Sequence, residues 1–222
     1  MTTTRALLFD MDGTMVDSMP AHARSWKVFA QRHGIRMPVD EILRKTTGRT
    51  GVECIRILMG ADIDDARAMA LIGEKEALYR EFFGADFREV AGFQDFARLA
   101  VQRGLKTAVA SAGDQHNIAF ALGRLQLARA PDAIVGGDEG LAGKPEPDLF
   151  VEAARRVGVA PADCIVFEDA PFGIEAARRA GMRAVAICST HGAGDLAGPH
   201  VIASVHDFRE LIDSHFLETL HA

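Results

Sequence analysis

Phe9-Asp10-Met11-Asp12-Gly13-Thr14 places two carboxylates two residues apart, directly after the apolar run Ala6-Leu7-Leu8-Phe9. In extended backbone, residues i and i+2 point to the same side, so Asp10 and Asp12 would face one space. Open α/β sheets bind ligands beyond the carboxyl ends of their strands, which is where this pair would stand. Gly13 lets the chain turn away tightly behind them. Carboxylates so placed can serve as a nucleophile, as an acid and base, or as hard oxygen ligands for a cation. The bland alternative is a solvated acidic turn; a complete six-residue string after an apolar run weighs against it.

Three later stretches also put polar residues at the ends of apolar runs or before helices: Val109-Ala110-Ser111-Ala112, Gly143-Lys144-Pro145-Glu146-Pro147-Asp148 and Val166-Phe167-Glu168-Asp169-Ala170. Taken singly, Ser111 reads as a turn residue and Lys144 as a solvated cation. Glu168-Asp169 reads as an acidic pair favourable to a helix N-terminus. Two glycine-rich stretches are decoys. Gly136 to Lys144 ends in Gly-Lys, but Asp138 stands where a phosphate loop needs its first glycine and Pro145 where it needs Ser or Thr. Gly192 to Gly198 lacks dinucleotide-fingerprint spacing and reads as a loop.

The elements that must position these residues follow from short apolar or β-branched runs. Besides 6–9, these are Lys106 to Ala110, Ala133 to Val135, Cys164 to Phe167 and Arg183 to Ile187, with His200 to Val205 as a further short strand. Helical stretches lie between them: Phe93 to Arg103, Gln115 to Leu125, Leu149 to Val157, Ile174 to Ala180 and, last, Phe208 to Phe216. Alternation at these lengths predicts βαβ units and a parallel sheet. From about Val16 to Glu89 the pattern is helical only, with apolar faces Trp26/Phe29/Ala30, Ile55/Leu58/Met59 and Leu71/Leu78/Phe82. That block is several times too long for an ordinary crossover, so it reads as a helical insertion over the end of the first strand.

With the elements in place, the first string resembles motif I of the haloacid-dehalogenase-like superfamily, and the other three stretches resemble its motifs II, III and IV, in order. The resemblance spans essentially the whole chain, and the insertion after motif I is similar to the helical cap of the β-phosphoglucomutase-like and phosphoglycolate-phosphatase-like branch. It implies an α/β fold, a Rossmann-like parallel core (1–15 and 90–222) carrying an inserted helical cap (16–89). It implies a Mg2+-dependent phosphatase acting on a small phosphorylated metabolite, a sugar phosphate first, through an aspartyl-phosphate. Asp10 would be the nucleophile. Asp12 would protonate the leaving oxygen and then deprotonate water, its pKa raised by neighbouring carboxylates. Ser111, the Ala112 backbone and Lys144 would hold phosphate oxygens. Mg2+ would be bound by Asp10, the Asp12 carbonyl, Asp169, and Glu168 directly or through water.

In the cap, the resemblance points to three substrate-side residues. His22 lies one helical turn before Trp26, Arg49 sits in the turn Thr47-Gly48-Arg49-Thr50, and Lys75 precedes Tyr79 by four. Each also has an ordinary reading as a surface or core residue. The nearest rival activity is that of a β-phosphoglucomutase, an isomerase using the same intermediate. In that pattern a Lys follows the motif II Ser, and here Asp114 occupies its place. A haloacid dehalogenase lacks the acid that Asp12 supplies, and a noncatalytic binding protein predicts a missing motif where none is missing. A formal charge of -6 disfavours nonspecific nucleic-acid binding. Cys54, Cys164 and Cys188 have no metal-ligand spacing and read as free thiols. No membrane span or signal peptide is visible and no partner protein is implied, so the expectation is a cytoplasmic enzyme.

Overall fold

The computed structural model describes residues 3–220. β1 (Ala6–Phe9) is followed by four helices, α1 (Met19–Arg32), α2 (Val39–Thr46), α3 (Gly51–Met59) and α4 (Asp65–Ala85). Alternation then begins with α5 (Phe93–Gln102), β2 (Lys106–Ala110), α6 (Gln115–Arg124), β3 (Ala133–Val135) and α7 (Asp148–Val157). It continues through β4 (Cys164–Glu168), α8 (Pro171–Arg179), β5 (Arg183–Ile187), β6 (Val201–Val205), α9 (Phe208–Asp213) and α10 (Phe216–Thr219).

The strands form one parallel sheet in the order β3-β2-β1-β4-β5-β6, the Rossmann-like α/β arrangement expected. β1 is central and buried along its whole length, as a parallel strand covered on both faces must be. Leu7 and Phe9 point into one layer with Phe93, Phe96 and Phe208, while Ala6 and Leu8 point into the other with Phe150 and Ile174. Phe9 is level with Val109 on one side and Phe167 on the other. The residues just past all three strands therefore emerge at one edge, where the chain order reverses about β1.

α1 to α4 share a third apolar cluster built on Trp26, Phe29, Ile42, Ile55 and Leu71. The chain enters and leaves this block by two segments running side by side: the Val90 N–H donates to Met15 O and the Asp17 N–H to Arg88 O, both at 3.0 Å. The ends of the expected core, residues 1–2 and 221–222, lie outside the described residues. Among the described residues no helix is long and apolar enough to cross a membrane.

Two expectations about helices need correction. The α4 stripe expected on Leu71, Leu78 and Phe82 is carried on by Phe83, buried in the sheet's cluster, with Phe82 partly buried against the same cluster and the Arg24 guanidinium over its ring. One helix here serves two cores, so a single periodic stripe is the wrong template. The expected last helix, 208–216, is broken, because His215 takes φ 53° between α9 and α10.

Candidate active site

Asp10 leaves β1 with its N–H donated to Phe167 O at 3.0 Å, which ties motif I to the end of β4. Gly13 then turns at φ 83°; a Cβ there would fall 2.2 Å from Asp169 Oδ2, so glycine lets the two acidic segments touch. Asp10, Glu168 and Asp169 each offer a carboxylate oxygen within 4.8 Å of the others'. The Lys144 ammonium, 1% exposed, bridges this group, donating to Asp10 and, at 2.6 Å, to Glu168 Oε1. Glu168 Oε2 accepts from the Ala170 N–H at 2.8 Å. Asp169 is held by Thr190 and, at 3.3 Å, by Thr14 Oγ1, while Thr190 Oγ1 and His191 Nδ1 both lie near its carbonyl.

Three buried carboxylates thus face one ammonium. Burial pushes Asp10 well above the ordinary carboxylate range; Lys144 opposes this, while Glu168 and Asp12 add to it. Asp169 is raised by burial, then by Glu168 and Asp10. Burial alone would lower Lys144, but the two carboxylates it touches hold it above the lysine range. A site whose acids bind protons for want of positive charge suits a hard divalent cation, since carboxylate oxygens are its preferred donors. Asp12 contributes no carboxylate oxygen to this cluster.

The Asp12 side chain faces elsewhere. Its Oδ1 accepts from Ser18 Oγ at 2.6 Å and Tyr79 OH at 3.0 Å, and lies 3.2 Å from His22 Nε2. The last approach is an ion pair in distance only, since Nε2 makes no hydrogen bond of good geometry. Oδ2 has no such partner among the described residues and faces Gly113, where an added Cβ would lie 3.8 Å away. Burial would raise Asp12, but His22, Ser18 and Tyr79 outweigh it and pull it down to about 2. The expectation of a raised pKa is therefore corrected. The neighbours that decide it are these polar groups from α1, α4 and Ser18, and not the acid cluster.

His22 stacks on Tyr79 with ring centres 4.0 Å apart, and its Nδ1 lies 2.7 Å from Lys75 Nζ. Lys75 is 2% exposed and also donates to Glu76 Oε1 at 2.9 Å. Arg49 lies over the Phe172 ring at 5.1 Å, its Nε buried without a partner. Ser111 Oγ accepts from the Gly113 N–H at 3.0 Å, which leaves its own hydrogen to donate.

A single cavity of about 390 Å³ is bordered by Asp10, Asp12, Ser111, Ala112, Glu168 and Asp169 from the sheet edge. His22, Arg49 and Lys75 border it from the helical block, and Lys144 lies just beneath. All ten residues singled out in the sequence thus meet at one place. Sequence reasoning missed Ser18, Glu76, Asn117 and Thr190. The only sequence signal for Glu76 was its place beside Lys75, and Asn117 carried none.

A parallel α/β sheet with a lysine-bridged carboxylate cluster at its switch point defines the class of protein. The chain belongs to the haloacid dehalogenase-like hydrolase family, whose profile matches residues 4–181. It is 35% identical to fructose-1-phosphate phosphatase YqaB of Escherichia coli (strain K12), over 81% of this chain and 94% of that protein. It is 31% identical to hexitol phosphatase A of the same organism, over 82% of each. Among solved structures, β-phosphoglucomutase from Clostridium difficile superposes with a TM-score of 0.84 at 21% identity, covering 97% of this chain and 96% of that one; this likeness is one of fold.

Proposed function

We propose that this protein is a Mg2+-dependent phosphatase that hydrolyses a small sugar phosphate through an aspartyl-phosphate on Asp10. The observation that carries this reading is the division of labour between Asp10 and Asp12. One carboxylate is bridged by Lys144 inside the acid cluster; the other keeps a free oxygen facing the same cavity. The names of the two Escherichia coli relatives support a phosphorylated sugar or sugar alcohol as the substrate class.

A phosphate monoester is a dianion, and each unit-charge pair at ~4 Å costs ~4 kcal/mol at an effective dielectric of about 20. Asp10, Asp169, the Asp12 carbonyl and Glu168 would hold the cation. When bound, Mg2+ supplies charge neutralisation and Lewis acidity to the phosphoryl oxygens. Lys144, the Ser111 hydroxyl and the Ala112 N–H bind and orient the transferring group. Asp10 attacks phosphorus in line. Asp12 uses Oδ2 to give a proton to the leaving oxygen and to take one from the hydrolytic water. Asp12 takes up a proton from solvent before it can give one to the leaving oxygen, and the substrate's dianionic charge beside it favours that uptake.

Residues 16–89 would form the cap and 1–15 with 90–222 the core. The paired segments around Met15 and Val90 would be the hinge. Arg49 would contact substrate from the cap, with His22 and Lys75 behind Asp12. Three free cysteines support a cytoplasmic setting.

Asp114 bears on the rival mutase reading. It caps α6 by accepting from the Asn117 N–H at 2.7 Å, so an anion faces the cavity where a mutase would present a cation. The test incubates the enzyme with Mg2+ and fructose 1-phosphate, and separately with β-glucose 1-phosphate plus a trace of glucose 1,6-bisphosphate. Free phosphate should form from a sugar monophosphate without need of the bisphosphate, and Asp10→Asn should abolish it while keeping the fold. Glucose 6-phosphate appearing much faster than phosphate, or an active Asp10→Asn, would overturn the proposal.

A further inference from the structure

Asn117 is a polar side chain in the first turn of α6, only 1% exposed. Nothing in the chemistry above calls for it. Both ends of its carboxamide are bonded, and both partners come from α4. Its Nδ2 donates to Glu76 Oε2 at 2.7 Å, and its Oδ1 accepts from Arg80 Nη1 at 2.7 Å. Arg can only donate and an ionised Glu only accept, so the amide has one permitted orientation. Glu76 stays ionised: burial works against its charge, but Lys75, His22 and Asn117 together hold it below the usual range.

From Glu76 close approaches run on as far as Asp12, the last of them without hydrogen-bond geometry. Glu76 Oε1 accepts from Lys75 Nζ at 2.9 Å, Lys75 Nζ lies 2.7 Å from His22 Nδ1, and His22 Nε2 lies 3.2 Å from Asp12 Oδ1. Tyr79, one turn after Lys75 on α4, adds its hydroxyl to the same Asp12 oxygen at 3.0 Å. The line starts on α6, beside the sheet edge, passes through α4 and α1, and ends at the sheet edge again on Asp12. Its middle belongs to the helical block and both its ends to the sheet's layer. It is complete only when α4 lies against α6.

We propose that Asn117 is a positioning residue for Asp12. By anchoring Glu76 it fixes Lys75 and His22, and so holds Asp12 Oδ1 while Oδ2 stays aimed at the leaving oxygen. This inference rests on the acid role of Asp12 proposed above. It makes α4 docking on α6 and completion of the acid a single event. A cap that is not fully closed leaves Asp12 Oδ1 with Ser18 but without the part of its backing that Asn117 anchors.

The pair also has a polarity that can be inverted. Asn117→Asp keeps an acceptor for Arg80 but turns a second carboxylate on Glu76. Glu76→Gln in the same chain restores a donor for that carboxylate, keeps an acceptor for Lys75 and leaves the total charge unchanged. The experiment compares kcat/KM for phenyl phosphate and p-nitrophenyl phosphate, two aryl esters of similar shape. Phenoxide, with a pKa near that of tyrosine at about 10, needs a proton to leave, and the far more acidic nitrophenol does not. This parameter reports steps only through departure of the leaving group, so later water attack does not enter.

Asn117→Asp and Asn117→Ala should each lower kcat/KM for phenyl phosphate by ~10-fold or more and change p-nitrophenyl phosphate by less than ~2-fold. The swap Glu76→Gln with Asn117→Asp should recover most of the loss. Asn117→Ala introduces no buried charge and serves if the Asp variant fails to fold. Equal losses on both esters, no loss on either, or a folded swap variant that recovers nothing would overturn the inference. Asp12→Asn is measured alongside. If it too fails to spare p-nitrophenyl phosphate, the acid role itself is wrong; if it spares it and the Asn117 variants do not, only the Asn117 inference falls.

Discussion

Gly173→Ala tests how tightly the acid cluster is built. Gly173 is buried in α8, and at an open helical site alanine would stabilise by ~1 kcal/mol. Here a Cβ would lie 1.8 Å from Glu168 Oε1, 1.9 Å from its Cδ and 2.5 Å from its Cγ. Nonbonded carbon contacts ordinarily begin at ~3.5 Å, so the carboxylate must move by nearly 2 Å. It has nowhere to go without releasing Lys144, at 2.6 Å, and the Ala170 N–H, at 2.8 Å. Breaking a buried ion pair costs ~3–5 kcal/mol, and the lower figure applies because Lys144 keeps Asp10. The orphaned N–H adds ~1 kcal/mol. Set against the helical gain, the net loss is ~3 kcal/mol, or a fall in Tm of ~6–12 °C for a chain of this size. Thermal unfolding followed by circular dichroism measures it, and Mg2+-dependent turnover should fall by at least ~10-fold in the same variant. A Gly173→Ala protein as stable as wild type or more so, with unchanged turnover, would refute the packing argument.

Two other outcomes follow from the site. Asp10 and Asp169 are each raised first by burial and then by neighbouring carboxylates, Glu168 foremost among them, so in the metal-free protein protons compete with the cation. Mg2+ affinity by isothermal titration calorimetry should therefore strengthen from about pH 6 to about pH 8, with protons released on binding, and Asp169→Asn should weaken it by ~10-fold or more; an affinity flat across that range counts against the cluster as the cation site. Arg49 borders the cavity with a buried, unpartnered Nε, so Arg49→Ala should lower kcat/KM for fructose 1-phosphate by ~10-fold or more while sparing p-nitrophenyl phosphate, which lacks the hydroxyl groups a cap guanidinium would hold. Equal losses on the two esters would remove Arg49 from substrate recognition.

Much of this molecule was legible in the chain itself. A buried parallel strand is an unbroken apolar run, so Ala6 to Phe9 and Cys164 to Phe167 announced the central sheet, and the acids beyond them announced its active edge. Four polar motifs in chain order carried the family resemblance, and it was the resemblance that implied Asp10, Lys144, Glu168 and Asp169 lie together. Such features are local: a strand end, a turn glycine and a helix start are each set by a few neighbouring residues.

Other properties were decided only when distant segments packed. His22 and Ser18 do most to pull Asp12 to a low pKa and Tyr79, 67 residues away, adds to it, while the backing of His22 needs Lys75, 53 residues away. Asn117 meets Glu76 across 41 residues because one face of α4 lies on α6, and helical period alone does not say which face that is. The same helix buries Phe83 more fully than Phe82 because it leaves one core and enters another along its length. Residue type and spacing determined which groups could do chemistry here. Their charge state and aim were settled by tertiary packing, because electrostatic and hydrogen-bond energies depend on distances in space that separation along the chain does not encode.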